Sequence, residues 1–268
     1  STKCRKSNNC YAFRSPTRYG RYLLEAGVDI ASTANNHSGD FGESCRRETE
    51  ATLDQLGIAW SGPPGSVASV QRKGLRIAMI AFHTSAACNF VNDHSRAARL
   101  VKDTKKKHDL VLVSFHGGAE GKTMTRVPNG KETFHGEDRG DLRKFARAVI
   151  DAGADLVLGH GPHVLRGIEV YKERLVAYSL GNFATYGRFD LSGVLGRGMV
   201  LEVVLQSDGK FVGGRILATR QLGEGVPSPD PDNKAVELIQ ELTRLDFPDS
   251  APNIEPDGLI SPADAAAP

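Results

Sequence analysis

Hydrophobic positions along the chain change period repeatedly, and the changes predict alternating helices and strands. Ser15-Pro16 reads as an N-cap with proline at the first helical position, and the helix over 17–26 stops at Gly27. Residues 28–34, VDIASTA, carry the β-branched signature of a buried strand. Asp40 and Glu43 are spaced like a capping box opening a helix over 43–56, which Gly57 ends before a short strand at 58–61. Residues 67–71 and 75–81 flank Arg72-Lys73-Gly74 as a hairpin. A helix over 95–107 ends in the basic run 105–107, which suits a solvated helix C-terminus.

Further along, LVLVSF (110–115) is a strongly apolar strand, an amphipathic helix covers 141–152, and the next strand starts at Asp155. Two hairpins follow, 168–171 with 174–180 and 199–206 with 211–219. From Gly223 the composition turns to Pro, Asp and Gly, with one helix near 233–244 and a tail, PADAAAP, that reads as disordered. The expected organisation is an N-terminal loop (1–14), a main domain (15–222) and a C-terminal extension (223–268). Strands alternating with helices, then runs of hairpins, predict an α/β protein with a mixed sheet or two packed sheets.

Composition narrows the function classes. The 34 basic and 32 acidic residues leave a net charge of +2, which excludes a charge-driven nucleic-acid binder. No apolar run is long enough to span a bilayer. Cys4 and Cys10 bracket a polar loop; they are either a ring-closing disulfide, which implies an oxidising compartment, or two unpaired thiols.

Three polar clusters follow three predicted strands: Asn35-Asn36-His37, His116-Gly117-Gly118-Ala119-Glu120 and Gly159-His160-Gly161-Pro162-His163. Open α/β sheets hold their ligands at such strand ends. Neutral imidazole with amide or carboxylate oxygen suits Mn, Fe or Zn, and the glycines let the backbone approach a bound ion or phosphate. One such histidine is usually structural, so it is the repetition that points to a site. His83, His94, His108 and His135 lack the pattern and read as surface or loop residues, His135 being the best exception. Arg126, Arg139 and Arg166 flank the site loops, where they either grip phosphate or form ordinary ion pairs. No nucleophile elbow, P-loop or dinucleotide fingerprint occurs.

ANNHSGDFG, VSFHGGAEG, DAGADLVLGHGPHVLRGIEVY and LVAYSLGNFATYG, in this order and spacing, resemble the CapA family of capsule and poly-γ-glutamate biosynthesis proteins. The resemblance runs from about Tyr11 to Thr219. It implies a calcineurin-like metallophosphoesterase fold, a two-sheet sandwich flanked by helices, and an extracytoplasmic protein, periplasmic, secreted or anchored to the outer membrane face. It also implies two divalent ions (Mn, Fe or Zn), held by Asn36, His116, His160 and His163, with His37 as catalytic acid. Glu120 and Asn182 match positions beside that site, Arg166 falls next to it, and Asp40 is either a site residue or a helix cap.

The family's opening strand ending in Gly-Asp, and its Asn-Leu-Glu motif, do not occur in the first part of this chain, so the implied ligand set is incomplete. Three functions follow: a metallophosphoesterase-like protein of capsule polymer synthesis or export, a non-catalytic polymer-binding or scaffold component, and a metal-dependent hydrolase of a glutamyl polymer. The implied partners are an anionic polymer or phosphoester and membrane-bound polymer synthase subunits, with no nucleic acid.

Overall fold

The computed structural model describes residues 11–187 and 189–263. The expected Cys4–Cys10 bridge and most of the PADAAAP tail lie outside the described residues.

The predicted first helix is a 3-10 turn, Thr17–Tyr19, continued by α1, Gly20–Glu25, and Ser15 makes no cap. The strand β1 is only Ile30–Ser32. It pairs in parallel with β2, Ala59–Ser61, across α2, Gly42–Gln55, as the β–α–β pattern predicts. No side chain caps α2, because Asp40 is engaged elsewhere and Glu43 pairs with Arg46 and Arg47. The capping-box reading is therefore wrong.

A hairpin follows, β3, Ala68–Arg72, and β4, Leu75–His83, with the two-residue β5, Asn89–Phe90, beside the end of β4. The helix α3, His94–Lys105, is capped by the Asp93 side chain and leads to β6, Leu110–His116. A small hairpin of β7, Glu132–Phe134, and β8, Glu137–Gly140, precedes α4, Leu142–Asp151, which Asp141 caps. Next come β9, Leu156–His160, β10, Ile168–Tyr171, and β11, Arg174–Ala177. The chain continues through β12, Arg197–Leu205, β13, Phe211–Leu222, and β14, Val226–Pro229. It closes with α5, Lys234–Asp246, β15, Asn253–Ile254, and β16, Leu259–Ser261.

The larger sheet runs β10-β11-β9-β6-β4-β3, and β4, β6, β9 and β11 are parallel to one another. The second runs β12-β13-β16-β15, with β14 also on β13. Alternation along β4, β6 and β9 sorts their side chains between two cores. Ile80, Phe82, Val111, Val113, Phe115 and Val157 meet Val101 of α3 and Phe145 and Val149 of α4. Leu156, Leu158 and Leu112 turn the other way, toward Met199, Phe211 and Ile216 of the second sheet. The neighbouring part of that face, Met79 and Ala81, is covered by Ala34, Ile30 and Ala59 from the β1–β2 region. This is the expected α/β architecture, two sheets packed together with helices outside.

Residues after 223 are no appendage. Ala235, Val236 and Ile239 of α5 and Ile260 of β16 complete the core between the sheets. Among the described residues no helix is long and apolar enough to cross a membrane.

Candidate functional site

The parallel strands set a row of imidazoles. In the register of β4, β6 and β9, His83 is paired with His116 and His116 with His160. All three share the parity of Ala81, Ser114 and Leu158, so they lie on the face toward the second sheet, where those strands end. There a cavity of about 1380 Å³ opens, lined by His116 and His160 together with Asn36, His37, Glu120, His163 and Asn182. The four predicted histidines thus converge, from three separate stretches of chain. Asp40 and Arg166, also predicted at the site, do not line the cavity.

A turn delivers His37: Asn35 Oδ1 accepts the His37 N–H at 2.8 Å and Ser38 Oγ donates to Asn35 O at 3.0 Å. His37 Nδ1 lies 2.9 Å from Asp40 Oδ2, which also accepts the Phe13 N–H at 2.8 Å. With Nδ1 held by the carboxylate, Nε2 is the nitrogen left to exchange a proton with the cavity. The Phe13 ring meets His37 edge-on at 4.6 Å and stacks on Phe189 at 5.7 Å, so residues distant in sequence roof this imidazole.

His163 is oriented in the same way by an amide. Asn182 Nδ2 donates to His163 O and Leu195 O, at 3.1 and 3.0 Å, which turns its Oδ1 to His163 Nδ1 at 2.7 Å. A carbonyl oxygen only accepts, so His163 carries a proton on Nδ1, and Nε2 is its remaining nitrogen. That Nε2 stands 4.0 Å from Glu120 Oε2, while Glu120 Oε1 lies 2.7 Å from Arg139 Nη2.

None of the three arginines reaches out for phosphate. Arg166, 0% exposed, forms a bidentate pair with Glu132 at 2.8 and 2.7 Å and donates to Ala119 O and Met124 O. Glu132 in turn accepts the Ala119 N–H. Arg139, also buried, donates to Gly118 O, and Arg126 pairs with Asp246. Two of these are buried braces that shape the loop after His116. The loop needs glycine: Gly118 has φ +86°, and at Gly161, with φ +120°, a Cβ would come within 2.6 Å of Gly117 O.

Burial keeps the imidazole row uncharged. It pushes His83 and His160 down to about 4 and His116 well below the ordinary histidine range. The nearby Arg139 charge lowers His83 and His116 further. These nitrogens therefore offer lone pairs at neutral pH, which suits a borderline divalent ion. The spacing does not complete such a site. Among the described residues no three His, Cys, Asp or Glu side chains are grouped to hold one metal ion.

His83 is the residue missed at the sequence level. It is a strand-end side chain, 5% exposed, neither surface nor loop. The signal was present, since IAFH ends β4 as VSFH ends β6. His135, by contrast, is exposed, meets the Phe134 ring at 4.1 Å with the planes tilted by 57°, and does not line the cavity.

Residues 1–186 match the family described as bacterial capsule synthesis protein PGA_cap. The PGA biosynthesis protein CapA of Bacillus subtilis (strain 168) is 28% identical over 245 residues, 84% of this chain and 59% of its own length. The capsule biosynthesis protein CapA of Bacillus anthracis is 31% identical over 181 residues, 60% of this chain and 41% of its own. The chain thus spans about half the length of these curated relatives. A crystal structure of a hypothetical protein from Thermus thermophilus shares the fold, with a TM-score of 0.50 and 20% identity over 76% of this chain and 81% of that one.

Proposed function

The chain belongs to the bacterial capsule synthesis protein family, and from that premise we propose that it serves capsular polymer synthesis or export, with the imidazole-lined cavity as its working site. The ligand is an anionic polymer of the poly-γ-glutamate kind or a phosphoester, handled outside the cytoplasm beside membrane-bound synthase subunits. The names of the two Bacillus relatives support the polymer. One observation carries the chemistry: His37, held at Nδ1 by Asp40, lies on a cavity that three further imidazoles share.

In this reading His37 Nε2 gives a proton to the oxygen leaving the scissile centre, as a general acid. Asp40 fixes the ring, and Asn182 and Glu120 fix and flank His163. Divalent ions of the Mn, Fe or Zn class belong to the proposal through Asn36, His116, His160 and His163. They need donors in addition to these, so no step is derived through them. The lack of a three-donor group among the described residues favours a second reading, a component that holds the polymer without cutting it.

The test incubates purified protein, with and without Mn²⁺ or Zn²⁺, with a chromogenic phosphodiester and with poly-γ-glutamate. Turnover that His37→Ala abolishes supports the first reading. Polymer binding without turnover of either compound supports the second. Neither turnover nor binding overturns both.

A further inference from the structure

Beside its imidazoles the cavity is lined by six aromatic rings, Tyr11, Phe13, Phe134, Phe183, Tyr186 and Phe189, which come from three separate stretches of chain. Phe13 and Phe189 are spent on each other and on His37. Phe183 and Tyr186 are not: they stay 46% and 81% exposed. Large rings left bare on a cavity wall mark a place where a ligand settles. These two are also carried on a fixed support. The Thr185 N–H and Oγ1 both donate to Gln221 Oε1 of β13, at 2.8 and 2.6 Å, and the Gly187 N–H donates to Glu224 O at 3.0 Å. The Tyr186 hydroxyl hydrogen-bonds the Glu224 side chain. At Gly225, with φ +106°, a Cβ would fall 1.3 Å from Thr185 O, so the turn before β14 packs directly against this segment. A ligand that meets these rings therefore has little backbone to order.

We propose that Phe183 and Tyr186 form a subsite for a ring-bearing phosphoester, stacking on a planar or sugar ring beside the imidazoles that handle the ester. An aromatic face gains more from a flat partner than from an alkyl chain, because stacked rings interact beyond the area they bury. A glutamyl chain has no ring to offer. The inference thus rests on the phosphoester branch of the function proposed above and narrows it.

The experiment measures binding rather than turnover, by ligand-observed NMR on the chain in the presence of Zn²⁺. Three probes carry the same charged group: phenyl phosphate with a planar ring, glucose 1-phosphate with a sugar ring, and butyl phosphate with a flexible chain. At least one ring phosphate should bind about 10-fold more tightly than butyl phosphate, within the range that stacking on an aromatic side chain supplies. Which of the two it is tells a planar ring from a sugar. Leucine at both positions keeps apolar bulk and removes the flat faces, so in Phe183→Leu with Tyr186→Leu the preference for ring over butyl should fall by about 10-fold. Thermal melts show whether that variant is folded. If it is not, Tyr186→Leu alone decides by the same criterion, since that side chain is mostly in solvent. Equal binding of all three probes, no binding of either ring phosphate, or an unchanged preference in the folded variant would overturn the proposal. Binding of poly-γ-glutamate with no ring preference would sink this inference and leave the polymer reading standing. A ring preference without turnover in the assay above would do the reverse to the catalytic reading.

Discussion

Asp40 does two jobs with one oxygen, accepting the Phe13 N–H and holding His37 Nδ1, and so ties the segment before α1 to the proton-handling imidazole. Removing that carboxylate frees the ring to rotate and leaves Phe13 without its anchor. If His37 is the acid, Asp40→Ala should lower turnover of a phosphodiester by about 10- to 100-fold, less than the roughly 10²–10⁴-fold that a general acid itself contributes. His37→Ala should cost at least as much. The double variant should be no worse than His37→Ala alone, because the carboxylate works only through the ring. Multiplicative losses in kcat would show instead that Asp40 acts on its own. Phe13, edge-on to the same ring, is a shape contact, and its replacement by Leu should change kcat far less than either.

At the scale of elements, the loop after β6 is held by charges that never see solvent. Glu132 of β7 and Arg166, two residues before β10, meet over Ala119, and both are buried. Breaking such a pair from one side strands the other charge, so Arg166→Met should destabilise by about 3–5 kcal/mol, read from the urea midpoint. Arg166→Met with Glu132→Leu should recover much of that loss, since no bare charge remains. Equal loss in the single and double variants would mean that the backbone bonds to Ala119 and Met124 matter more than the charges.

The same elements show what sequence could reveal. Strands β4, β6 and β9 and helices α3 and α4 were legible because each has one strong period and a clear cap or glycine stop. The four histidines were legible because their three clusters each directly follow a predicted apolar strand. Asp40 misled because three-residue spacing to Glu43 resembles a cap, while its true partners are His37 and Phe13, the latter 27 residues earlier. Arg166 misled because a guanidinium next to a site motif looks the same in sequence whether it faces ligand or a buried Glu132. His83 escaped because its meaning comes from the register of β4 on β6, a long-range property. The segments β14 to β16 escaped because their strands are short and rich in Pro, Asp and Gly, and they are ordered by the core they cover.

For the whole molecule, the placement of the site has an acid cost. The imidazole row sits at the end of the larger sheet, and burial there holds His83 and His160 near 4, against 6.5 for an ordinary histidine. Well above pH 6.5 neither folded nor unfolded chain protonates these two, so they have no effect on stability. Between pH 6.5 and about 4 the unfolded chain takes up protons that the folded chain refuses. Stability therefore falls as pH falls, by up to about 1.4 kcal/mol per pH unit for each such histidine. Below about 4 the folded chain protonates too and their contribution levels off. The direction for His116 is the same. Chelator-treated protein should thus show a urea midpoint that drops steadily from pH 6.5 to pH 4.5. In His83→Phe, which keeps a ring but loses the titrating group, the slope should be shallower whatever the change in absolute stability. A midpoint that is flat between pH 6.5 and 5 would mean that water reaches the row in solution. The neutral donors at the heart of the cavity would then have to be given up.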